Sequence, residues 1–66
     1  MTYNDFLSLV AREAARYKEM RYGQVWYNIL SLHRPDLAHN INGTPLDPFY
    51  KDNVPEESHM FVEDRW

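Results

Sequence analysis

Four prolines constrain the fold of this chain more than any other feature, because all of them fall between residues 35 and 55. Proline lacks a backbone donor and interrupts helices and central strands, so the first 34 residues form the one long stretch without it. The chain has only two glycines and contains no repeat, low-complexity tract or Gly/Ser linker. This distribution predicts a helical first half, a looped middle and a short helical end, within a single small domain over residues 1–66.

The first segment has the periodicity of an amphipathic helix. Its apolar and aromatic residues recur at helical spacing and fall on one stripe, with polar residues opposite. Thr2 or Asn4 can cap the start, and Gly23 stands where the chain is expected to bend. The pattern predicts helix one over residues 3–20. The stripe consists of Tyr3, Phe6, Leu7, Val10, Ala14 and Tyr17.

A second periodic segment runs from Gly23 to Arg34, where Pro35 disfavours helical geometry in the preceding residue. We expect this helix two to form an antiparallel hairpin with helix one. Its broad apolar side comprises Tyr22, Val25, Trp26, Ile29, Leu30, Leu32 and His33. The other side is polar but uncharged until Arg34, so we expect it to be covered, either by the C-terminal half or by another chain. The predicted partner-binding residues are Gln24, Tyr27, Asn28, Ser31 and Arg34.

The remaining chain predicts shorter elements. A third helix is expected to begin at Pro35 and to end before Gly43, since proline favours a first helical position and glycine a position beyond the helix end. Residues 44–50 are expected to form an ordered loop that contains prolines, in which Leu46, Phe49 and Tyr50 are buried anchors. A last helix is expected to begin at residues 55–57 and to approach Trp66. The predicted fold class is therefore all-α.

Charge distinguishes two binding hypotheses. Seven basic and ten acidic residues give a net charge of −3, the wrong sign for a protein held to nucleic acid mainly by its overall field. Two helices joined near Gly23 are nevertheless typical of a helix-turn-helix, so a small DNA-associated regulator is the alternative function. Helix two, which would read the DNA, offers only Arg34 as a basic group. The candidate nucleic-acid contacts are Arg12, Arg16, Lys18 and Arg21.

Self-association is a further expectation. Residues 1–35 carry five basic and three acidic side chains, net +2, whereas residues 36–66 carry two basic and seven acidic ones, net −5. The two halves can attract each other within one chain or between two. Because so short a chain buries a modest core, we expect a symmetric homodimer.

Catalytic, metal and membrane roles find little support in the sequence. The chain has no cysteine, and His33, His39 and His59 fall in three different segments without the spacing of a metal-binding helix. We expect no catalytic residues, no metal, no cofactor and no enzymatic activity. The start of the chain has no basic region, and no uninterrupted apolar run exceeds three residues, so neither a signal peptide nor a membrane span is expected.

Short motifs in the last two thirds of the chain carry a family resemblance. They are Arg21-x-Gly23-Gln24, Asn28-x-Leu30, Arg34-Pro35-x-Leu37, Ile41-x-Gly43-Thr44 and Asp47-Pro48-Phe49-Tyr50, closing on Trp66. In order and spacing, residues 21–66 resemble small uncharacterised proteins of tailed phages and prophages, and helix one lies outside the pattern.

The resemblance implies a setting, the cytoplasm of an infected or lysogenic bacterial host, and it supplies no catalytic residues. Early-region proteins of lambda-like phages commonly act by binding a host or phage protein. The leading hypothesis is therefore a non-enzymatic helical protein that binds and modulates such a partner.

Overall fold

The first helix begins where its capping residues place it. In the computed structural model, which describes residues 1–66, α1 spans Tyr3–Arg16. The Asp5 amide donates to Thr2 Oγ1 at 3.1 Å, and the Thr2 amide donates to Asp5 Oδ2 at 3.0 Å. This reciprocal capping box satisfies amides that the helix itself leaves without partners. Thr2 is therefore the cap, and its backbone hydrogen bond to Asp5 lowers the pKa of that carboxyl.

Helix one ends earlier than the periodicity predicts. Its last helical residue is Arg16, and Tyr17 leaves helical geometry with φ −115° and ψ 74°. The Met20 amide then donates to the Tyr17 carbonyl at 3.1 Å, which forms a turn and allows Met20 to pack against the core. Tertiary packing of Met20 prevails over the helical preference of residues 17–20, three of which are good helix formers. The predicted end at residue 20 was wrong.

The second helix, α2, spans Tyr22–His33. Gly23 lies inside its first turn and not at the bend before it, so that prediction was wrong. Leu32 and His33 were also placed incorrectly, since both are exposed. At 100° per residue, Leu32 falls about 120° from Trp26 around the helix axis, on a flank that no other element covers.

Two shorter helices complete the fold, which is all-α as predicted. Helix α3 spans Pro35–Ile41, with proline in its first turn, and α4 spans Glu56–Arg65 with two acids in its first turn. Gly43 follows α3 with φ +73°, a left-handed conformation that glycine adopts without strain, so its predicted role is confirmed.

The core lies where α1, α2 and α3 meet and is closed at one side by α4. Phe6 and Trp26 are fully buried, and their ring centroids lie 5.8 Å apart in an edge-to-face arrangement. The Trp66 ring covers Phe6 at 5.0 Å, and its Nε1 donates to the Met1 carbonyl at 2.9 Å. The buried cluster comprises Tyr3, Phe6, Val10, Val25, Trp26, Leu30, Leu37, Ala38, Ile41 and Val62.

Candidate protein-binding site

The uncharged side of α2 is partly covered by the same chain. The Tyr27 hydroxyl donates to the Ala38 carbonyl at 3.2 Å and accepts from Asn42 Nδ2 at 3.0 Å. The Tyr27 ring meets the Phe49 ring edge-to-face, with centroids 5.8 Å apart. Helix α3 and the loop after it therefore cover part of this side of α2, as the absence of charged residues predicted.

The five predicted partner-binding residues differ in how far they are exposed. Ser31 is half-buried and donates back to the Tyr27 carbonyl at 3.0 Å, within the same helix. Gln24 is half-buried, and Asn28, one helical turn further along the same side of α2, is exposed. Arg34 lies at the junction of α2 and α3.

Arg34 joins the end of α4 to the α2–α3 junction. Its guanidinium donates to both carboxylate oxygens of Asp36, at 3.1 and 2.9 Å, and this pairing lowers the pKa of Asp36. It also donates to the backbone oxygens of Trp66 at 2.5 Å and of Arg65 at 3.3 Å. The bidentate geometry is the one that arginine forms best with a carboxylate. In this fold Arg34 therefore stabilises the tertiary structure.

The loop between α3 and α4 is ordered by the side chain of Asp47. One carboxylate oxygen accepts from the Gly43 amide at 2.9 Å, and the other accepts from the Phe49 amide at 3.0 Å. Thr44 Oγ1 donates to the Ile41 carbonyl at 2.7 Å and ties the loop to the end of α3. Pro48 is fully buried. The expectation of an ordered loop containing prolines is confirmed.

Gly23 is the point at which this loop touches α2. Its amide, one of those that the start of a helix leaves without an intrahelical partner, donates to the Lys51 carbonyl at 3.0 Å. A Cβ atom on Gly23 would lie 2.0 Å from the Pro48 carbonyl oxygen and 2.6 Å from that of Lys51. Only glycine permits this approach. The sequence signal that could have revealed it is a glycine in the first turn of a helix whose cap position, Arg21, has no side chain that can accept from the free amides.

The loop presents one aromatic ring to solvent. Tyr50 is 81% exposed, although the sequence predicted a buried anchor. Its ring centroid lies 4.9 Å from that of Phe49, which in turn packs on Tyr27. We call these three residues, Tyr27, Phe49 and Tyr50, the aromatic platform. Pro48 takes the buried position that we expected of Tyr50.

The four candidate nucleic-acid residues are all exposed, and two of them lie close to acidic side chains of the same chain. Arg16 lies 3.8 Å from Glu13, and its guanidinium carbon lies 5.6 Å from the Tyr17 ring centroid. Arg21 lies 3.6 Å from Asp52, and Arg12 and Lys18 make no ion pair. The structure thus places these basic groups along α1 and in the turn that follows it.

A small cleft opens between the end of α1 and the start of α2. Its volume is about 130 Å³, below the several hundred Å³ of a typical small-molecule site. Its walls are mostly apolar. We call it the α1–α2 cleft; it is lined by Glu13, Tyr17, Met20, Val25, Asn28 and Ile29.

The three histidines lie apart. His33 and His39 are exposed, and half-buried His59 holds α4 against α1 because its Nδ1 lies 2.7 Å from the Tyr3 hydroxyl. Burial lowers the pKa of His59 and raises the pKa of Tyr3 to about 12, so both groups are neutral at pH 7. Trp26 Nε1 is buried beside them without a hydrogen-bond partner. The chain has no cluster of three or more histidine, aspartate or glutamate side chains that could hold a metal ion.

Comparison with known proteins returned no relative. No family model, curated protein or solved structure matches this chain. The resemblance to phage proteins therefore stays a prediction. None of the four helices combines the length and the apolar character that crossing a membrane requires.

Proposed function

We propose that this protein is a helical binding protein encoded by a phage or prophage, which acts in the host cytoplasm by binding a host or phage protein. In this proposal it has no chemistry of its own. The resemblance of residues 21–66 supports the phage setting, and the aromatic platform supports the mode of action. The surface that contacts the partner is centred on Tyr50 and continues over Phe49 to Tyr27 on α2.

The observation that carries the proposal is an exposed aromatic ring on a fixed loop. Tyr50 is 81% exposed, yet the backbone on either side of it is held, because the Pro48 carbonyl accepts from the Lys51 amide at 2.9 Å and the Lys51 carbonyl accepts from Gly23. Tyrosine is enriched among the residues that dominate binding energy at protein interfaces. A loop that is ordered before binding loses little conformational entropy on binding, which favours affinity.

Affinity capture with matched variants tests the proposal. The immobilised protein is incubated with lysate of phage-infected bacteria, and the retained proteins are quantified by mass spectrometry. Tyr50→Ala removes the exposed ring, and Leu32→Ala is the control, since Leu32 is 76% exposed and lies about 140° from Tyr27 around α2. Both variants should keep the circular dichroism spectrum and melting temperature of the wild type.

We expect one or more proteins to be retained by the wild type and by Leu32→Ala, and lost with Tyr50→Ala. Recovery of the same proteins with Tyr50→Ala would contradict the role of the aromatic platform. Truncation of an interface hot spot costs about 2 kcal/mol or more, so the expected loss of affinity is roughly thirtyfold.

The DNA-associated alternative has a different signature in solution. Binding through Arg12 and Arg16 to phosphates would weaken steeply with salt, since each neutralised phosphate releases counterions. An interface of apolar and aromatic groups responds little to salt. Fluorescence anisotropy with duplex DNA between about 50 and 200 mM salt separates the two. If the affinity for DNA falls steeply as salt rises, and if Arg12→Ala/Arg16→Ala abolishes it, the DNA hypothesis replaces the proposal of protein binding.

A further inference from the structure

The α1–α2 cleft has an apolar floor and a basic rim. Tyr17, Met20 and Ile29 line it, and the Arg16 guanidinium lies beside two lining residues, 3.8 Å from Glu13 and 5.6 Å from the Tyr17 ring centroid. Residues 12–21 carry four basic and two acidic side chains, net +2. The Arg16 side chain is 70% exposed, so its pairing with Glu13 leaves it able to meet a further carboxylate.

The outer face of α4 has the complementary chemistry. Met60 is 57% exposed at its centre, with exposed carboxylates around it. At 100° per residue these side chains share an arc of about 120° on the helix surface. Methionine is a flexible, polarisable apolar group that fits irregular clefts. This acidic α4 face consists of Glu56, Glu57, Met60, Glu63 and Asp64.

The two surfaces cannot meet within one chain. The α4 helix is fixed to the start of α1, because His59 Nδ1 lies 2.7 Å from the Tyr3 hydroxyl and Trp66 Nε1 donates to the Met1 carbonyl. The cleft lies at the other end of α1, where Glu13 is about 15 Å from Tyr3 along the helix axis, at 1.5 Å per residue. A contact between the acidic α4 face and the cleft therefore requires two molecules.

We propose that the occupant of the α1–α2 cleft is α4 of a second copy, with Met60 in the cleft and its carboxylates against Arg16 and Lys18. In this arrangement a two-fold axis relates the two copies, and each α4 face lies on the partner's cleft. The contact then occurs twice in a closed, symmetric dimer. A cleft of about 130 Å³ accommodates one methionine side chain, that of the partner's Met60.

This dimer leaves the aromatic platform free. Val25 and Ile29, which line the cleft, lie about 160° from Tyr27 around α2. The dimer therefore goes beyond the proposed binding of a foreign protein and stands independently of it. Tyr50→Ala should leave self-association unchanged.

Charge reversal tests the proposal, because two variants that each fail alone should rescue one another. Arg16→Glu/Lys18→Glu reverses the rim of the cleft, and Glu63→Lys/Asp64→Lys reverses the α4 face. All four residues are exposed, so both variants should fold, and an unchanged circular dichroism spectrum checks that Arg16→Glu does not unwind the last turn of α1. Lys51→Glu, in the loop, is a control for added negative charge. Sedimentation equilibrium from micromolar to hundreds of micromolar protein is the measurement.

We expect the wild type and Lys51→Glu to approach twice the 8.0 kDa chain mass as concentration rises. The dissociation constant of each double variant alone should be at least tenfold higher than that of the wild type. An equimolar mixture of the two should regain the wild-type dissociation constant, since both contacts are then complementary again. A wild type that stays at 8.0 kDa throughout, or a mixture that associates no better than its components, would overturn the proposal.

Discussion

Replacement of Gly23 by alanine tests the contact between the loop and α2. In most helices this change stabilises the protein, because alanine exceeds glycine in helix propensity by about 1 kcal/mol. Here the new Cβ would lie 2.0 Å from the Pro48 carbonyl oxygen and 2.6 Å from that of Lys51, and both are backbone atoms. The loop must therefore move away from the helix.

The magnitude follows from what that movement breaks. The hydrogen bond from the Gly23 amide to the Lys51 carbonyl contributes about 0.5–1.5 kcal/mol, and partial exposure of Pro48 and Phe49 costs about 1.5–3 kcal/mol. When the gain of about 1 kcal/mol in helix propensity is subtracted from these losses, the free energy of unfolding should fall by about 2 kcal/mol. In a domain of this size each kcal/mol corresponds to about 4–8 °C in Tm, so Tm should fall by roughly 10 °C.

Urea unfolding followed by circular dichroism measures this change. Asn28→Ala is the matched control, because it also introduces alanine into α2, at an exposed position. It should leave the stability equal or slightly higher. If Gly23→Ala raises the midpoint as Asn28→Ala does, the loop does not pack against α2 and the reasoning fails.

Three further predictions concern the core and its closure. Trp26→Ala should lower the free energy of unfolding by about 3–5 kcal/mol, since Trp26 is fully buried; a Tm within two degrees of the wild type would contradict its central position. Burial lowers the pKa of His59, so the unfolded chain binds a proton more readily than the folded one. Stability is therefore intact above about pH 6.5 and decreases as pH falls below it. His59→Gln should reduce this dependence in urea titrations at several pH values, and an unchanged slope would contradict it. Arg34→Ala should increase amide exchange in the last turn of α4, because Arg34 bonds the Trp66 and Arg65 backbone oxygens; unchanged exchange there would show that this clamp is not needed.

The sequence predicts the helix boundaries that are specified by residues at or next to the boundary. Thr2, one of the two candidate caps, precedes α1, Pro35 separates α2 from α3, and Gly43 follows the end of α3, so these residues are recognisable in the sequence alone. In each case the backbone requirement and the residue that meets it are neighbours in the chain. This is why the fold class and the order of helices were predictable.

The sequence could not predict features that depend on distant contacts. Gly23 looks like a bend until the loop at residues 48–51 is placed against it. Tyr50 looks like an anchor because it follows Pro48 and Phe49, but the buried position is taken by Pro48. Tyr27 and Arg34, predicted to meet a partner, form hydrogen bonds within the chain, Tyr27 to α3 and the residue after it and Arg34 to the end of α4. The contacts of Gly23, Tyr27 and Arg34 join residues 11 to 32 positions apart in the chain.

The central claim is that Tyr50 is presented on a loop that is ordered in the free protein. NMR relaxation and amide exchange of the isotopically labelled protein test it most directly. The account predicts that residues 48–51 have the same ps–ns rigidity as α2, and that the Gly23 amide exchanges slowly because it bonds the Lys51 carbonyl. Large-amplitude ps–ns motion at residues 48–51, together with a Gly23 amide that exchanges as fast as an unstructured chain, would contradict it.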